Sequence, residues 1–523
     1  MKKIFYILVS IFIIGCNTNE KKMINTCINM DPPSLDSRKV AHVVSSKVIF
    51  SIFRGLTKYE TDGNIVLDLA ESYSLSDDKK TYIFKLKKDI VWSDNHPITA
   101  SDFEKTWKKI LSPDFPSFFP QFFYNIENAE NAKKNKCSLD DIGIKAIDDK
   151  TLLIKLKYPC PFFLKLTSFC AFFPIPTHIE KNNPKWAEKT NHFVSNGPFK
   201  LKSWDHNNKI IIEKNPLYWD SKNVSIEEVH FHIIENENTA LQMFETSELD
   251  WIGALYSPFP IDSIPYILQN KDHSIRELGG TTFCAFNVKK FPFNNKNMRK
   301  AFNLAINRKK IIKNITQANE TIATRYIPPS ICKEKISFFK DNDNENAKKH
   351  FEKALEELNI ERKDIEIVFS YRNDLLFKKQ SEFLKEKWEK LFNIKIKLEK
   401  LEKKMMWTKL HNHQIQIALA HWITPYNDPT CILDRFKNKE NSKNYSNFEN
   451  EDYKNLLNLA KKETNNKKRD QYLKKAEAIF IEEMPIAPIY HHNTISLKKP
   501  HLKGNFVGFF GEPHFDKIYF KKK

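Results

Sequence analysis

Between Thr81 and Leu86 apolar and polar side chains alternate, so that Tyr82, Phe84 and Leu86 fall on one face, as in a half-buried strand. Residues 151–156 form a short apolar run bounded by turn residues and read as another strand, and residues 23–30 mix β-formers in an extended pattern. Farther along the rhythm changes. Residues 364–370 read as a buried strand, 374–391 as a helix and 393–399 as a second strand. On that helix Glu382, Lys385, Glu386 and Glu389 mark the wet face, and Phe383, Leu384, Trp388 and Leu391 the dry one. A strand–helix–strand unit of this length implies a parallel pair joined by a crossover. A helix over Lys403–His411 leads into a strand over 415–420, and two amphipathic helices follow near 452–462 and 468–483. The pattern predicts an α/β fold whose first part is richer in strand. Pro and Asn clusters punctuate 113–120, 258–265 and Pro328-Pro329, but none is a long linker, so the lobes are expected to be tightly connected.

At 523 residues the chain is long enough for more than one lobe, and 41% apolar with 28% charged residues fits a globular protein. Lys2 and Lys3 precede the apolar run 4–14, which ends in Gly15-Cys16. That run is too short to span a bilayer and reads as a signal-peptide core. A small residue before Cys resembles a bacterial lipobox, which implies cleavage before Cys16, lipid on that residue and a polar tether over 16–21. The alternative is a plain secretory signal with a chance cysteine. Seven of the eight cysteines follow Cys16, with no CxxC and no repeated spacing; one or two disulfides are compatible with export, and sequence cannot pair them. The net charge of +19 comes mostly from Lys scattered among Glu and Asp, so it suits an anionic surface better than a nucleic-acid groove.

Chemistry is scarce. With 11 glycines the chain holds no GxxxxGK[ST] loop, no GxGxxG, no GxSxG elbow and no HExxH helix. Ser76-Asp77-Asp78-Lys79 matches SxxK and Ser93-Asp94-Asn95 matches SDN, but the KTG strand that such a serine mechanism requires is absent, and the Ser76 segment reads as a polar turn. His411 and His413 lie two apart on a polar stretch, and the adjacent His491 and His492 would point to opposite faces of a strand, so neither pair reads as a metal site. No enzyme, metal or cofactor is expected.

Several separated motifs then fall into one order. Asp31-Pro32-Pro33-Ser34-Leu35-Asp36 comes first, followed by Leu69-Ala70-Glu71-Ser72-Tyr73, Tyr82 to Lys87, Val91-Trp92-Ser93-Asp94 and Pro97 to Phe103. Val194-Ser195-Asn196-Gly197-Pro198-Phe199, Asn215 to Trp219, Ser247-Glu248-Leu249-Asp250, the stretch Pro292 to Arg308, and Trp422 with Tyr426 to Pro429 complete the set. Together they resemble the peptide-binding family of ABC-importer solute receptors, whose members take oligopeptides, dipeptides, nickel chelates, haem and some sugars. The resemblance spans nearly the whole mature chain. It implies a two-lobe periplasmic-binding-protein clam-shell with an extra domain on its first lobe. By that likeness the first lobe comprises 22–54, 186–279 and 496–523, the extra domain 55–185 and the second lobe 280–495, with closure around ligand at the crossings.

The resemblance also implies the site. Trp422 matches a cleft-lining tryptophan, flanked by Ala420, His421 and Ile423; Trp407 lines the same region. Val44, Ser45, Gly253 and Tyr256 are expected along the first lobe's edge, and Phe118, Phe119 and Tyr124 as an aromatic wall from the extra domain. Strand edges would hold a peptide through its main chain, with hydrated pockets for side chains. One departure matters. Family members carry an Asp three residues after that Trp to pair with the ligand's ammonium, and Pro425 stands here; the family's basic residue six before it is Leu419. Either another acid, Asp428 being nearest, serves the amine, or the ligand is blocked, as in a muropeptide. A haem or metal-chelate receptor, for which His421 speaks, and a non-transport surface lipoprotein or adhesin are the competing functions. The expected partners are an ABC permease and the membrane, and the expected state a monomer.

Overall fold

The computed structural model describes residues 22–40, 43–254, 258–269, 272–505, 507–509, 511–512 and 514–521. Its first lobe is built on a sheet in which Met23–Ile28 runs parallel to Glu228–Ile233, with Lys209–Lys214 and Phe199–Asp205 added antiparallel. An antiparallel sheet of Ala70–Leu75, Thr81–Leu86, Thr151–Lys155 and Ile144–Asp148 contributes to the same hydrophobic core. Tyr82, Phe84 and Leu86 point into the core, as their spacing predicts. The helix Ala100–Leu111 packs on this sheet; its start is set by the Asp102 carboxylate, which accepts from the Thr99 N–H at 2.9 Å. Trp92, Trp107, Phe53 and Phe103 are fully enclosed in the resulting core.

The second lobe holds a mixed sheet with three strands that matter for function: β1 (His273–Phe286), β2 (Ile417–Ile423) and β3 (Ile486–Lys498). β1 lies between β2 and β3, and Ile367–Arg372 continues the sheet beyond β2. The expected crossover is present: Ile367–Arg372 runs parallel to Ile396–Leu401, joined by the helix Leu375–Phe392. Asp374 caps that helix, accepting from the Phe377 N–H at 2.8 Å, and Trp388 is buried with its Nε1–H on the Phe302 carbonyl at 2.9 Å. The strands start later than the hydrophobic run suggests because Arg362–Asp364 first makes a 3-10 turn and Asn393 takes a left-handed cap at φ 53°. Among the described residues Cys137, Cys160, Cys170, Cys284, Cys332 and Cys431 carry free thiols, so none of these six forms a disulfide.

β1 and β3 are 14 and 13 residues long, about 45 Å of chain, and connect the lobes. One end pairs with Trp251–Gly253 and packs with Ala240, Phe244, Ile252 and Ile267 of the first lobe; the other enters the second lobe's core. Between Glu277 and Thr281 their register slips, at Gly279 and Gly280. A Cβ on Gly279 would stand 2.6 Å from the Thr424 hydroxyl, and one on Gly280 2.8 Å from the Trp422 carbonyl. The bare backbone therefore lets the end of β2 approach the crossing point.

Candidate functional site

Alternation along β2 sends Ala418, Ala420 and Trp422 to one face and Leu419, His421 and Ile423 to the other. Ala420, opposite Phe283, is spent on core packing, while Trp422, opposite Thr281, reaches the half-buried mouth between the lobes. The Arg435 guanidinium stacks 4.2 Å from the Trp422 ring and 5.1 Å from the Tyr445 ring. It donates to the Tyr326 hydroxyl at 2.8 Å and to the Lys443 carbonyl at 2.9 Å. The Lys443 ammonium lies 5.5 Å from the Trp422 ring and 5.5 Å from the Phe119 ring of the facing lobe. Burial, followed by the Arg435 charge, pushes its pKa down to about 8. Trp407, 40% exposed, stands edge-on to His411 and Tyr445 at 5.4 and 5.9 Å.

On the other face His421 packs between Phe377 and His492, each 5.6 Å away. Burial and then the charges of Arg372, Arg435 and Lys403 push its pKa down to about 4. Among the described residues no group of three or more His, Cys, Asp or Glu side chains could hold a metal ion.

Beyond β2 the chain crosses to the first lobe. The Asn427 N–H donates to the Tyr59 hydroxyl at 3.1 Å, and the Lys165 ammonium donates to the Asn427 carbonyl at 2.6 Å. Tyr426 stacks on Phe162 at 5.5 Å and meets Phe122 edge-on at 5.8 Å. Pro425 lines a cavity of about 30 Å³, room for a water or so, whose walls include Arg54, Lys58, Tyr59 and Glu512. Glu512 is the acid among that cavity's lining residues. Burial would raise its pKa, yet His514 at 3.4 Å and the charge of Lys47 hold it down to about 2, so its charge is already matched.

Asp428 is not a free acid facing a ligand. It is 3% exposed and accepts from Arg469 at 2.7 Å, the Thr430 hydroxyl at 2.6 Å and the Thr430 N–H at 3.0 Å. Burial works against its charge, but these partners keep its pKa below the ordinary carboxylate value. Of the expected aromatic wall, Phe119 meets Lys443, whereas Phe118 stands 59% exposed. Tyr124 is half-buried on the extra domain's core. Val44 and Ser45 sit buried in the first turn of the helix Val43–Ile52, and the Ser45 hydroxyl has no hydrogen-bond partner. Gly253 serves the backbone, with φ at +99° and the Ile495 carbonyl 2.5 Å from where a Cβ would be. Ile423 is half-buried opposite Gly280. Cys16 and Tyr256 lie outside the described residues. Arg435, Lys443, Tyr445 and Glu512 escape sequence reasoning, because they come from a three-residue 3-10 turn and irregular segments without a period that would mark them.

The profile of bacterial extracellular solute-binding proteins, family 5 Middle, matches residues 64–444. The chain is 36% identical over 507 residues to the oligopeptide-binding protein OppA of Bacillus subtilis, covering 96% of this chain and 93% of that one. A solved Borrelia burgdorferi periplasmic oligopeptide-binding protein superposes with a TM-score of 0.83 at 29% identity, covering 96% and 100% of the two chains. The Escherichia coli murein tripeptide binding protein MppA matches with a TM-score of 0.83 at 26% identity, covering 96% and 99%.

Proposed function

The chain belongs to the bacterial extracellular solute-binding proteins of family 5, and from that premise we propose that it captures oligopeptides or peptide-like ligands and hands them to the permease of an ABC importer. The observation that carries the reading is the meeting of the lobes at Lys443, whose ammonium lies 5.5 Å from the Trp422 ring of one lobe and 5.5 Å from the Phe119 ring of the other. An extended peptide suits such a place, since main-chain groups and aromatic walls bind without demanding one sequence. The solved relatives named for oligopeptides and for murein tripeptide support it. Residues 22–54, 186–279 and 496–523 form the first lobe in this reading, 55–185 the extra domain and 280–495 the second lobe. Closure then turns on β1 and β3, where Gly279 and Gly280 break the register.

The ligand end beside Pro425 carries no free ammonium. Arg54 and Lys58 line that cavity, Glu512 is matched by His514 and Lys47, and Asp428 is taken by Arg469. An N-blocked peptide or muropeptide avoids burying an unpaired ammonium, a penalty of several kcal/mol. Cys16 anchors the chain by lipid on the extracytoplasmic face, the described residues containing no helix long and apolar enough to cross a membrane.

Thermal-shift titration of the full chain with matched free and N-acetylated peptides and with muropeptide tests this. Saturating ligand should raise the melting temperature in proportion to log concentration, with blocked ligands acting at lower concentration. Tight binding of free peptides, abolished by N-acetylation, would remove the blocked-end proposal. A Soret shift on adding haem, with silence from every peptide, would replace the peptide reading by the haem one.

A further inference from the structure

Around Trp422 the charges have one sign. Arg435 is 3% exposed, and its hydrogen bonds go to neutral acceptors, the Tyr326 hydroxyl and the Lys443 carbonyl. Among the described residues no carboxylate forms an ion pair with Arg435 or with Lys443. A buried guanidinium ordinarily recruits a carboxylate, because its desolvation is otherwise uncompensated. The orphaned polar atoms nearby are donors as well. The Arg435 Nε–H and the Trp422 Nε1–H are buried without an acceptor. On the far side of β2, His421 feels Arg372, Arg435 and Lys403 and no compensating acid, which reports a positive field across the strand. Of these cations Arg372 is neutralised by Asp374 at 2.6 Å and Lys403 is exposed to solvent, which leaves Arg435, stacked on Trp422, and beside it Lys443, between Trp422 and Phe119, without a carboxylate partner.

We infer that Arg435 and Lys443, with the Trp422 indole N–H, form a docking point for a carboxylate of the bound ligand, so that the chain selects peptides presenting an acid at this position. The inference rests on the peptide reading above and adds the polarity of one end. Planar, forked donors on Arg435 suit a planar two-oxygen acceptor, and the Lys443 ammonium adds a point charge. Because Lys443 stands between Trp422 of the second lobe and Phe119 of the extra domain, an anion held there contacts groups of both lobes.

Calorimetric titration of the full chain with N-acetyl-tetraalanine, as free acid and as C-terminal amide, decides the matter. The acid should bind at least tenfold tighter than the amide at pH 7, and Lys443→Gln should cut that ratio to threefold or less while leaving the melting temperature within a degree. An amide that regains affinity when it carries a Glu side chain assigns the same site to a side-chain carboxylate and also supports the inference. Equal binding of acid and amide by the unaltered chain overturns it, and so does a ratio preserved in Lys443→Gln. Lys443→Met serves if the Gln variant does not fold, and the acid-to-amide ratio needs no variant. Failure of acid, amide and every other peptide to bind would overturn the peptide reading itself, a result distinct from equal affinity.

Discussion

Acidifying from pH 7.5 to 5 should loosen the hinge before its carboxylates are protonated. His491, 4% exposed in β3, shares a hydrogen bond of 2.9 Å with the Thr281 hydroxyl at the register slip. Burial, then the charges of Arg325 and His492, pushes its pKa down to about 3. Burial and neighbouring charge put His492 at about 3 and His421 at about 4. Each starts from 6.5 in the unfolded chain, so below that pH the unfolded state binds more protons and stability falls with pH. The loss starts near pH 6.5 and levels off only below the folded values. At pH 5 one such histidine costs about 2 kcal/mol by linkage. Three would cost about 6, but His421 and His492 are half-buried and interact, so about 2–4 kcal/mol is expected in total. Unfolding entropy for a chain of this size makes that a fall of a few degrees, of order 1 °C per kcal/mol. Glu512 and Asp516, held down to about 2, stay ionised throughout the window. Scanning fluorimetry at constant ionic strength measures the slope, and His491→Gln should reduce it by about a third. A flat melting temperature between pH 7.5 and 5, or an undiminished slope in His491→Gln, would refute the reasoning.

Asp428→Ala should destabilise the chain by about 3–5 kcal/mol, because it strands the buried Arg469 guanidinium; a variant that loses only ligand affinity in urea and binding assays would return Asp428 to the ligand. Gly253→Ala should cost about 2 kcal/mol or more, since the residue sits at φ +99° with the Ile495 carbonyl in the way, and a urea midpoint equal to that of the parent would contradict it. Trp422→Ala removes the platform under Arg435 and should weaken peptide binding 10- to 100-fold, about 2 kcal/mol, and also lower the urea midpoint. Calorimetry with the acid-terminated peptide reads that loss.

How much of this molecule was legible in the sequence depends on the range of the physics. The strand Thr81–Leu86 and the helix carrying Trp388 announce themselves because burial of one face imposes a local period, and nothing distant can alter it. Errors at their ends came from single residues such as Asn393, whose left-handed cap delays the next strand. The site is different. Trp422 stands in a family motif, but Arg435 and Lys443 reach it from a short 3-10 turn and the irregular stretch after it, brought there by tertiary packing rather than by spacing. Phe118 and Phe119 are adjacent and chemically alike, so only their orientation distinguishes a wall from an exposed ring. Asp428 is an acid in a plausible place, and only Arg469, 41 residues away, reveals that its charge is used internally. Fold therefore follows from many weak, local and redundant signals, whereas the sign of charge at one end of the cleft follows from two or three side chains. Replacing an acid by Pro425 on one side of the crossing segment and placing Lys443 beside Trp422 leaves that redundant pattern intact. On the proposed reading such a change would reverse which end group the cleft accepts while the clam-shell stays the same, which is why likeness of fold leaves the ligand's ends to be read from the site.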